Sequence, residues 1–396
     1  MLLLPRGVAL GLALTCSSIS SPRASILAAE TPDAPVPRPT DEYLDEYALL
    51  YDHVGMLMDG ERMRAYHDAI MLNAAQHFKG KVVLDVGTGT GILAIWAAQA
   101  GAKRVYAVEA SSIGTHASTM IAAHGLSDKI TLIRGRLEEI ELPEFVDVLI
   151  SEWMGYFLLR ESMVGSILVA RDKYLKHEGV MYPSEARLLV APLHSPSFRE
   201  KKTVEHEEVL ANWDALAQET SQRYSLDLGA LRASYEKEGL QYMYNQAFQG
   251  HVPGDVLAGE GVPVLEVDMK TVTSSELFGW KSAVTLRRFE PERPVHAICG
   301  WFDVRFCSEP QDGGEGGDGD DSACVELDTS PNKPGTHWGQ SVFLLEEELI
   351  ESDIEVSLKQ SRKNHHDINV TFGYAAATGA VTASYDVTAD FRGYDD

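Results

Sequence analysis

Glu152 and Glu161 stand nine positions apart in SEWMGYFLLRESM (residues 151–163), on either side of a Gly-Tyr turn. A hairpin at that turn brings both carboxylates to one mouth. Side by side, two carboxylates repel, and one takes up a proton unless a cation sits between them. A guanidinium is the cation that matches, because its planar fork pairs bidentately with carboxylate oxygens. It is also a poor nucleophile, with its charge spread over its nitrogens and a pKa above ~12. Two glutamates holding it from two sides localise the positive charge away from one terminal nitrogen. That nitrogen keeps lone-pair density for an electrophile placed in line, and positioning and electrostatics supply most of the acceleration.

A second group of residues indicates the electrophile. Residues 83–93 read VLDVGTGTGIL, a strand-like run, a glycine-rich turn and a helix start. Gly87, Gly89 and Gly91 let the backbone turn tightly and approach a ligand with no Cβ in the way. Glu109, eighteen residues past Gly91, ends the next strand-like run, where an acid hydrogen-bonds ribose hydroxyls. A P-loop is excluded because no Gly-Lys-Ser/Thr follows. A dinucleotide wants G-x-G-x-x-G with its pyrophosphate on the helix N-terminus. Here the third glycine comes one residue early, and Asp85 precedes the loop. An anionic Asp85 opposes a pyrophosphate but suits a cationic ligand. S-adenosylmethionine, with a sulfonium and an ammonium, fits; the plain alternative is an ordinary tight turn.

The elements that must position these groups alternate. KVVLDV, RVYAVE, ITLIRG and VDVLIS (81–86, 104–109, 130–135, 146–151) are β-branched runs, with helix-like segments at 91–100 and 113–123 between the first three. This is the pattern of a doubly wound parallel sheet. Ligands of such sheets bind beyond the carboxyl ends of the strands, where the glycine turn, Glu109 and the SEWMGY segment fall. Ahead of them, residues 41–76 read as helical, with Tyr43, Tyr47, Leu50 and Tyr51 at three- and four-residue spacing. After about residue 185, runs such as ARLLVAPL (186–193) and SAVTLRRF (282–289) follow without crossovers and predict an antiparallel β domain. Within it, residues 204–246 form a charged helical insertion carrying Trp213, Tyr224, Tyr235, Tyr242 and Tyr244. Its aromatics either pack on their own domain or reach a partner. Residues 309–322, EPQDGGEGGDGDDS, form an acidic, glycine-rich loop.

Composition narrows the function classes. At 396 residues the chain holds two to three domains of ordinary size, and 44% hydrophobic with 23% charged residues excludes wholesale disorder. Lys+Arg at 34 against Asp+Glu at 59 gives a net charge of −25. Such a charge repels duplex nucleic acid and is compatible with basic protein substrates. The cysteines Cys16, Cys299, Cys307 and Cys324 show neither CxxC nor metal-ligand spacing, so no disulfide and no metal site are expected and the body of the chain reads as intracellular. No apolar run reaches the ~18–20 residues of a membrane span. Residues 1–30 disagree with that picture. Only Arg6 and Arg23 are charged before Glu30, with an apolar run at 7–16 and serines after it, as in a targeting presequence or a disordered extension. Four prolines among residues 31–40 mark a linker.

At VLDVGTGTGIL, the ISEWMGY double-glutamate segment and THW (336–338), the sequence resembles a protein arginine methyltransferase from about residue 43 to its C-terminus. SEWMGYFLLRESM, GVMYPS (179–184) and GTHWGQ (335–340) are most similar to the plant-type branch. The resemblance implies N-terminal helices and a Rossmann-like S-adenosylmethionine domain over 41–185. A β-barrel over 186–396 follows, with a helical dimerisation arm at about 204–246. By the same resemblance Arg62, in MLMDGERMRAY, pairs with the cofactor carboxylate, Glu109 with its ribose, and Leu137 and Glu138 with adenine. Asp85, Gly87, Gly89 and Gly91 belong to the same cofactor site. Glu152 and Glu161 hold the acceptor arginine. His337 pairs with Asp59, to orient the site, to help remove the product proton, or as a structural contact between domains. Met56 and Met163, with Tyr47 and Trp338, shape the acceptor pocket. The two methionines favour asymmetric dimethylarginine, since a flexible thioether leaves room for a monomethylated side chain.

Two departures stand out. The segment that closes over the cofactor in the family carries Tyr-Phe-x-x-Tyr, whereas this chain has YLDEY with Leu44 for phenylalanine, losing ring stacking. The presequence is the other, because the family works in cytoplasm and nucleus. The reading is a homodimeric enzyme that methylates arginine in histones and Arg/Gly-rich proteins. The alternatives are a monomethylating or symmetric-type enzyme and a non-catalytic cofactor-binding adaptor.

Overall fold

The glycine turn and the SEWMGY segment leave neighbouring strands of one parallel sheet. In the computed structural model, which describes Leu44 and residues 47–307, 323–360 and 367–388, that sheet contains β1 (Val82–Val86), β2 (Arg104–Glu109), β3 (Ile130–Arg134), β4 (Val146–Ile150) and β5 (Leu175–Tyr182). Its order is β3-β2-β1-β4-β5, every pair parallel. All five residues of β1 are buried, as a central strand covered on both faces requires. The order reverses between β1 and β4, so the crevice of this sheet opens where these two strands end. Residues 1–40, the loop at 309–322 and Cys16 lie outside the described residues.

Residues 41–76 contain a break that periodicity alone does not reveal. Helix α1 (Val54–Met58) stops at Asp59, and α2 (Gly60–Leu72) begins there, with the Asp59 side chain accepting the amide of Arg62 as an N-cap. Helices α3 (Ile92–Gln99) and α4 (Gly114–Ala123) follow β1 and β2, and α5 (Val164–Tyr174) leads from the SEWMGY segment into β5.

From β6 (Glu185–Leu193) onward the pairing is antiparallel. One sheet runs β7-β12-β10-β6-β8, built from β7 (Phe248–Gly250), β8 (Val262–Asp268), β10 (Val295–Phe306) and β12 (Gln340–Leu349), with β11 (Val325–Asp328) beside β10. A second runs β15-β14-β13-β9, from β9 (Lys281–Thr285), β13 (Asp353–Gln360), β14 (Ile368–Ala376) and β15 (Gly379–Val387). The run at 282–289 leaves its sheet after Thr285, ahead of Pro291 and Pro294, and Phe289 is exposed. Buried residues of the parallel sheet and of both antiparallel sheets belong to one continuous core.

The insertion is a helical hairpin of α6 (Pro196–Tyr224) and α7 (Arg232–Tyr244). It starts eight residues ahead of the expected position 204, because Pro196 sits in the first turn, where its fixed φ favours a helix. Trp213 stacks on Tyr235 at 4.2 Å within the hairpin. Cys307 and Cys324 correct the expectation of no disulfide. The β10–β11 ladder pairs Phe306 with Val325, so the next two residues face each other, and their sulfurs are bonded. That register is set by the strands and leaves no local trace in the sequence.

Candidate active site

A cavity of about 370 Å³ opens at the ends of β1 and β4. Its floor is the glycine turn, where Gly87, Gly89 and Gly91 hold φ of 69°, 57° and 87°, the left-handed region that glycine tolerates without strain. A Cβ on Gly87 would lie 2.5 Å from the Met163 methyl. Glu109, at the end of β2, is buried and accepts the amides of Gly89 at 2.9 Å and Ser111 at 2.7 Å, fixing the turn against the second strand. Asp85 departs from expectation because it does not line the cavity. It is buried beneath the turn, where Oδ2 accepts the Thr88 hydroxyl at 2.5 Å and the Ala94 amide at 3.1 Å. Burial, opposed by those hydrogen bonds and reinforced by the charge of Glu109, pushes its carboxyl up to about 7. Asp85 therefore shapes the loop and does not present a charge to a cationic ligand.

The segment after β4 is a hairpin with isolated bridges Gly155 to Leu158 and Tyr156 to Arg160. Its backbone is strained, with Phe157, Leu158 and Glu161 all at positive φ. Gly155 is required, since a Cβ there would lie 1.7 Å from the Arg160 carbonyl oxygen. The hairpin docks on the β domain through Phe157, whose ring covers Gly300 of β10 and meets Phe343 edge-on at 5.1 Å. Trp338 Nε1 donates to the Met154 carbonyl at 3.3 Å. Glu152 and Glu161 both line the cavity, and each holds a guanidinium. Arg62 donates to Glu152 Oε2 from Nε at 3.1 Å and Nη2 at 2.9 Å, and Arg160 Nη2 donates to Glu161 Oε1 at 2.6 Å. Burial, joined by the charges of Glu161 and Glu152, pushes the Tyr47 phenol well above its usual range.

From the N-terminal helices, Asp59 accepts both the backbone amide and Nδ1 of His337, at 2.9 and 2.7 Å. Burial alone would raise the Asp59 carboxyl, but the hydrogen bonds from His337 and the Arg62 amide hold it below its ordinary range. Among the described residues no three His, Cys, Asp or Glu side chains converge as a metal site.

Comparison with known proteins identifies the family. The family model of the arginine methyltransferase oligomerization subdomain matches residues 198–379, and that of ribosomal protein L11 methyltransferase (PrmA) matches 70–208. Protein arginine N-methyltransferase PRMT10 of Oryza sativa subsp. japonica is 40% identical over 338 residues, covering 84% of this chain and 87% of the rice protein. The chain belongs to the protein arginine N-methyltransferase family. PRMT10 of Arabidopsis thaliana is 38% identical over 90% of this chain and 94% of its own. A crystal structure of Arabidopsis thaliana protein arginine methyltransferase 10, in an open conformation, has a TM-score of 0.78 at 36% identity, covering 87% of this chain and 100% of that one. The Trypanosoma brucei PRMT1 enzyme-prozyme heterotetrameric complex with AdoHcy has a TM-score of 0.69 at 30% identity, with the same coverage.

Most residues expected from the arginine methyltransferase resemblance line this one cavity: Arg62, Gly87, Gly89, Glu109, Leu137, Glu138, Glu152 and Glu161 with Tyr47, Met56, Met163, His337 and Trp338. Asp59 reaches it through His337. Gly91 lies behind the turn against Ala117. Glu138 is tied at Oε1 by the Ser166 hydroxyl at 2.7 Å. Trp153, Tyr156 and His53 are among the lining residues that went unread in the sequence. Trp153 and Tyr156 lie between the two glutamates, so the hairpin itself was their signal. His53 packs 3.3 Å from where a Gly89 Cβ would stand, and nothing local in the sequence marks it.

Proposed function

We propose that this chain transfers methyl groups from S-adenosylmethionine to the guanidino nitrogens of arginine residues in proteins, and continues to asymmetric dimethylarginine. The observation that carries the reading is that the two carboxylates of one hairpin line one cavity with the glycine turn, and each already engages a guanidinium. Such carboxylates match an acceptor arginine in charge and in fork geometry.

The backbone of Gly87 and Gly89, with the flexible Met163 thioether and His53 packed over it, would receive the cofactor, with Glu109 on the ribose, Leu137 and Glu138 at adenine, and Arg62, which pairs with Glu152 here, turning to the carboxylate. S-adenosylmethionine supplies the electrophilic methyl. Glu152 and Glu161 hold the acceptor and keep one terminal nitrogen rich in electron density. The accepting nitrogen would gain the methyl as the bond from that methyl to the sulfonium sulfur breaks, leaving the cofactor as a neutral thioether, and would release one proton to solvent. The Asp59–His337 pair serves chiefly to hold the N-terminal helices against the cavity. Met163, between the glycine turn and the hairpin, and Met56 give the acceptor side a compliant wall, which favours a second methylation on the same nitrogen. The charge of −25 favours encounter with basic, Arg/Gly-rich substrates and histones. The helical hairpin of α6 and α7 is proposed to dock on a second copy of the chain. Cytoplasm and nucleus are the proposed compartments. A reporter fused to residues 1–40 tests this, and its delivery to an organelle or the secretory route would overturn it.

The reaction is tested with S-adenosylmethionine, an Arg/Gly-rich peptide and fragmentation mass spectrometry of the methylarginines. Asymmetric dimethylarginine that disappears in Glu152→Gln, with cofactor binding retained, supports the reading. Monomethyl or symmetric product alone would overturn the product assignment and leave the two-glutamate site standing. Cofactor binding without transfer to peptide or histones would favour the adaptor.

A further inference from the structure

The two guanidinium ions at the hairpin differ in kind. Arg62 lines the cavity, whereas Arg160 does not, and its side chain is only 1% exposed. A buried guanidinium persists only where carboxylates and rings compensate its lost hydration. Arg160 has both. Nη2 donates to Glu161 Oε1 at 2.6 Å, Nε lies 3.6 Å from Asp367 Oδ1, and the group sits 5.5 Å from the Tyr156 ring centroid. Asp367 immediately precedes β14, so the ion joins the hairpin to the C-terminal sheet.

Glu161 needs such a hold for two reasons. Its φ of 59° is a conformation that a glutamate adopts only when its surroundings enforce it. It also faces the same cavity as Glu152, and two carboxylates there push each other out of position unless each is balanced. Balance for Glu152 comes from a residue of the cavity wall; for Glu161 it comes from behind.

We propose that Arg160 is a positioning residue for acceptor methylation, fixing Glu161 from the buried side, with Asp367 as its anchor on the C-terminal sheet. The proposal rests on the assignment of Glu161 to acceptor binding. Arg160 acts through Glu161 and touches neither the cofactor turn nor the acceptor. Its removal therefore lowers turnover and leaves cofactor affinity unchanged.

The test uses the full chain, S-adenosylmethionine and an Arg/Gly-rich peptide, with kcat, peptide KM and calorimetric cofactor Kd measured for wild type, Arg160→Gln, Arg160→Lys and Asp367→Asn. Arg160→Gln is expected to lose at least tenfold in kcat/KM for peptide with cofactor Kd within twofold. Arg160→Lys is expected to recover at least threefold of that loss, because it keeps the charge. Asp367→Asn is expected to lose in the same direction, and it decides the matter if Arg160→Gln does not fold. Peptide turnover of Arg160→Gln, or failing it Asp367→Asn, within twofold of wild type overturns the proposal. So does an equal loss in the Gln and Lys variants with cofactor affinity falling in parallel, since that is the mark of a general structural role. A wild-type chain that binds cofactor but methylates no arginine overturns the underlying assignment as well, so the two failures are distinguishable.

Discussion

His337 Nδ1 lies 2.7 Å from Asp59 Oδ2, and the His337 amide donates to the same oxygen at 2.9 Å. The other oxygen of Asp59 accepts the Arg62 amide at 3.0 Å, so one carboxylate caps α2 and ties that helix to the loop ahead of β12. Those hydrogen bonds outweigh burial and hold its carboxyl low. A folded-state pKa below the unfolded value of about 3.9 contributes stability that is present above that value and lost as pH falls through the folded one. Asp59→Asn is expected to cost about 1.5–3 kcal/mol near neutral pH, the range for hydrogen bonds to a charged group. In thermal melts the deficit against wild type should shrink as pH falls below about 4. A deficit independent of pH would mean that the charge of Asp59 is not what ties the helix to the loop.

Asp85 works in the opposite direction. Burial raises its carboxyl to about 7 in the folded chain, above the unfolded value, so the folded state binds the extra proton. Its contribution to stability is greatest below about pH 4 and is lost as pH rises to about 7. Asp85→Asn removes this dependence. Melting temperature of the variant relative to wild type should climb across that interval and level off above it. A difference that stays flat from pH 4 to 8 would show that Asp85 ionises without penalty beneath the turn.

The hairpin of α6 and α7 leaves Leu216, Tyr224, Leu226 and Leu231 about half exposed or more, while Trp213 and Tyr235 satisfy each other internally. If that face docks on a second copy, Leu226→Asp with Leu231→Asp desolvates two charges in the interface. Light scattering after size exclusion should report a dimer for wild type and a monomer for the double variant, with peptide turnover down at least fivefold. A wild-type monomer with full turnover removes the docking proposal.

Four strands of the parallel sheet were legible because they are short β-branched runs, and a central strand covered by helices on both faces has no polar side to blur the pattern; β5, an edge strand reading LKHEGVMY with its first half exposed, left no such signal. Gly87, Gly89 and Glu109 were legible for the same reason, since strand ends place them. What escaped depends on partners distant in sequence. Arg62 meets Glu152 across 90 positions and Asp59 meets His337 across 278, contacts reached in the reading only through the family resemblance or not at all. Cys307 and Cys324 pair because two strands share a register. Asp85 was misread because a carboxylate before a glycine turn looks the same whether it faces the ligand or the loop. Nothing near Arg160 in the sequence marks it, because its burial depends on Asp367, 207 positions away.

Gly300 offers a way to move the glutamate hairpin without touching a glutamate. A Cβ at this position of β10 would lie 2.2 Å from Phe157 Cε2, so the ring fills space that only glycine leaves open. Phe157 is itself at φ 48° and is held on its far side by Phe343 at 5.1 Å, which gives the ring little room to retreat. Gly300→Ala is therefore expected to cost about 1–3 kcal/mol of stability, as overpacked cores do. It should also lower peptide turnover by more than tenfold, because displacing Phe157 shifts the turn between Glu152 and Glu161. Phe157→Leu alone loses ring contacts, yet in the double variant it makes room for the added methyl. The two changes should therefore be strongly non-additive, with the double variant recovering both melting temperature and turnover relative to Gly300→Ala. Additive losses in a double-mutant cycle would mean that the hairpin is held in place by something other than this ring on this strand.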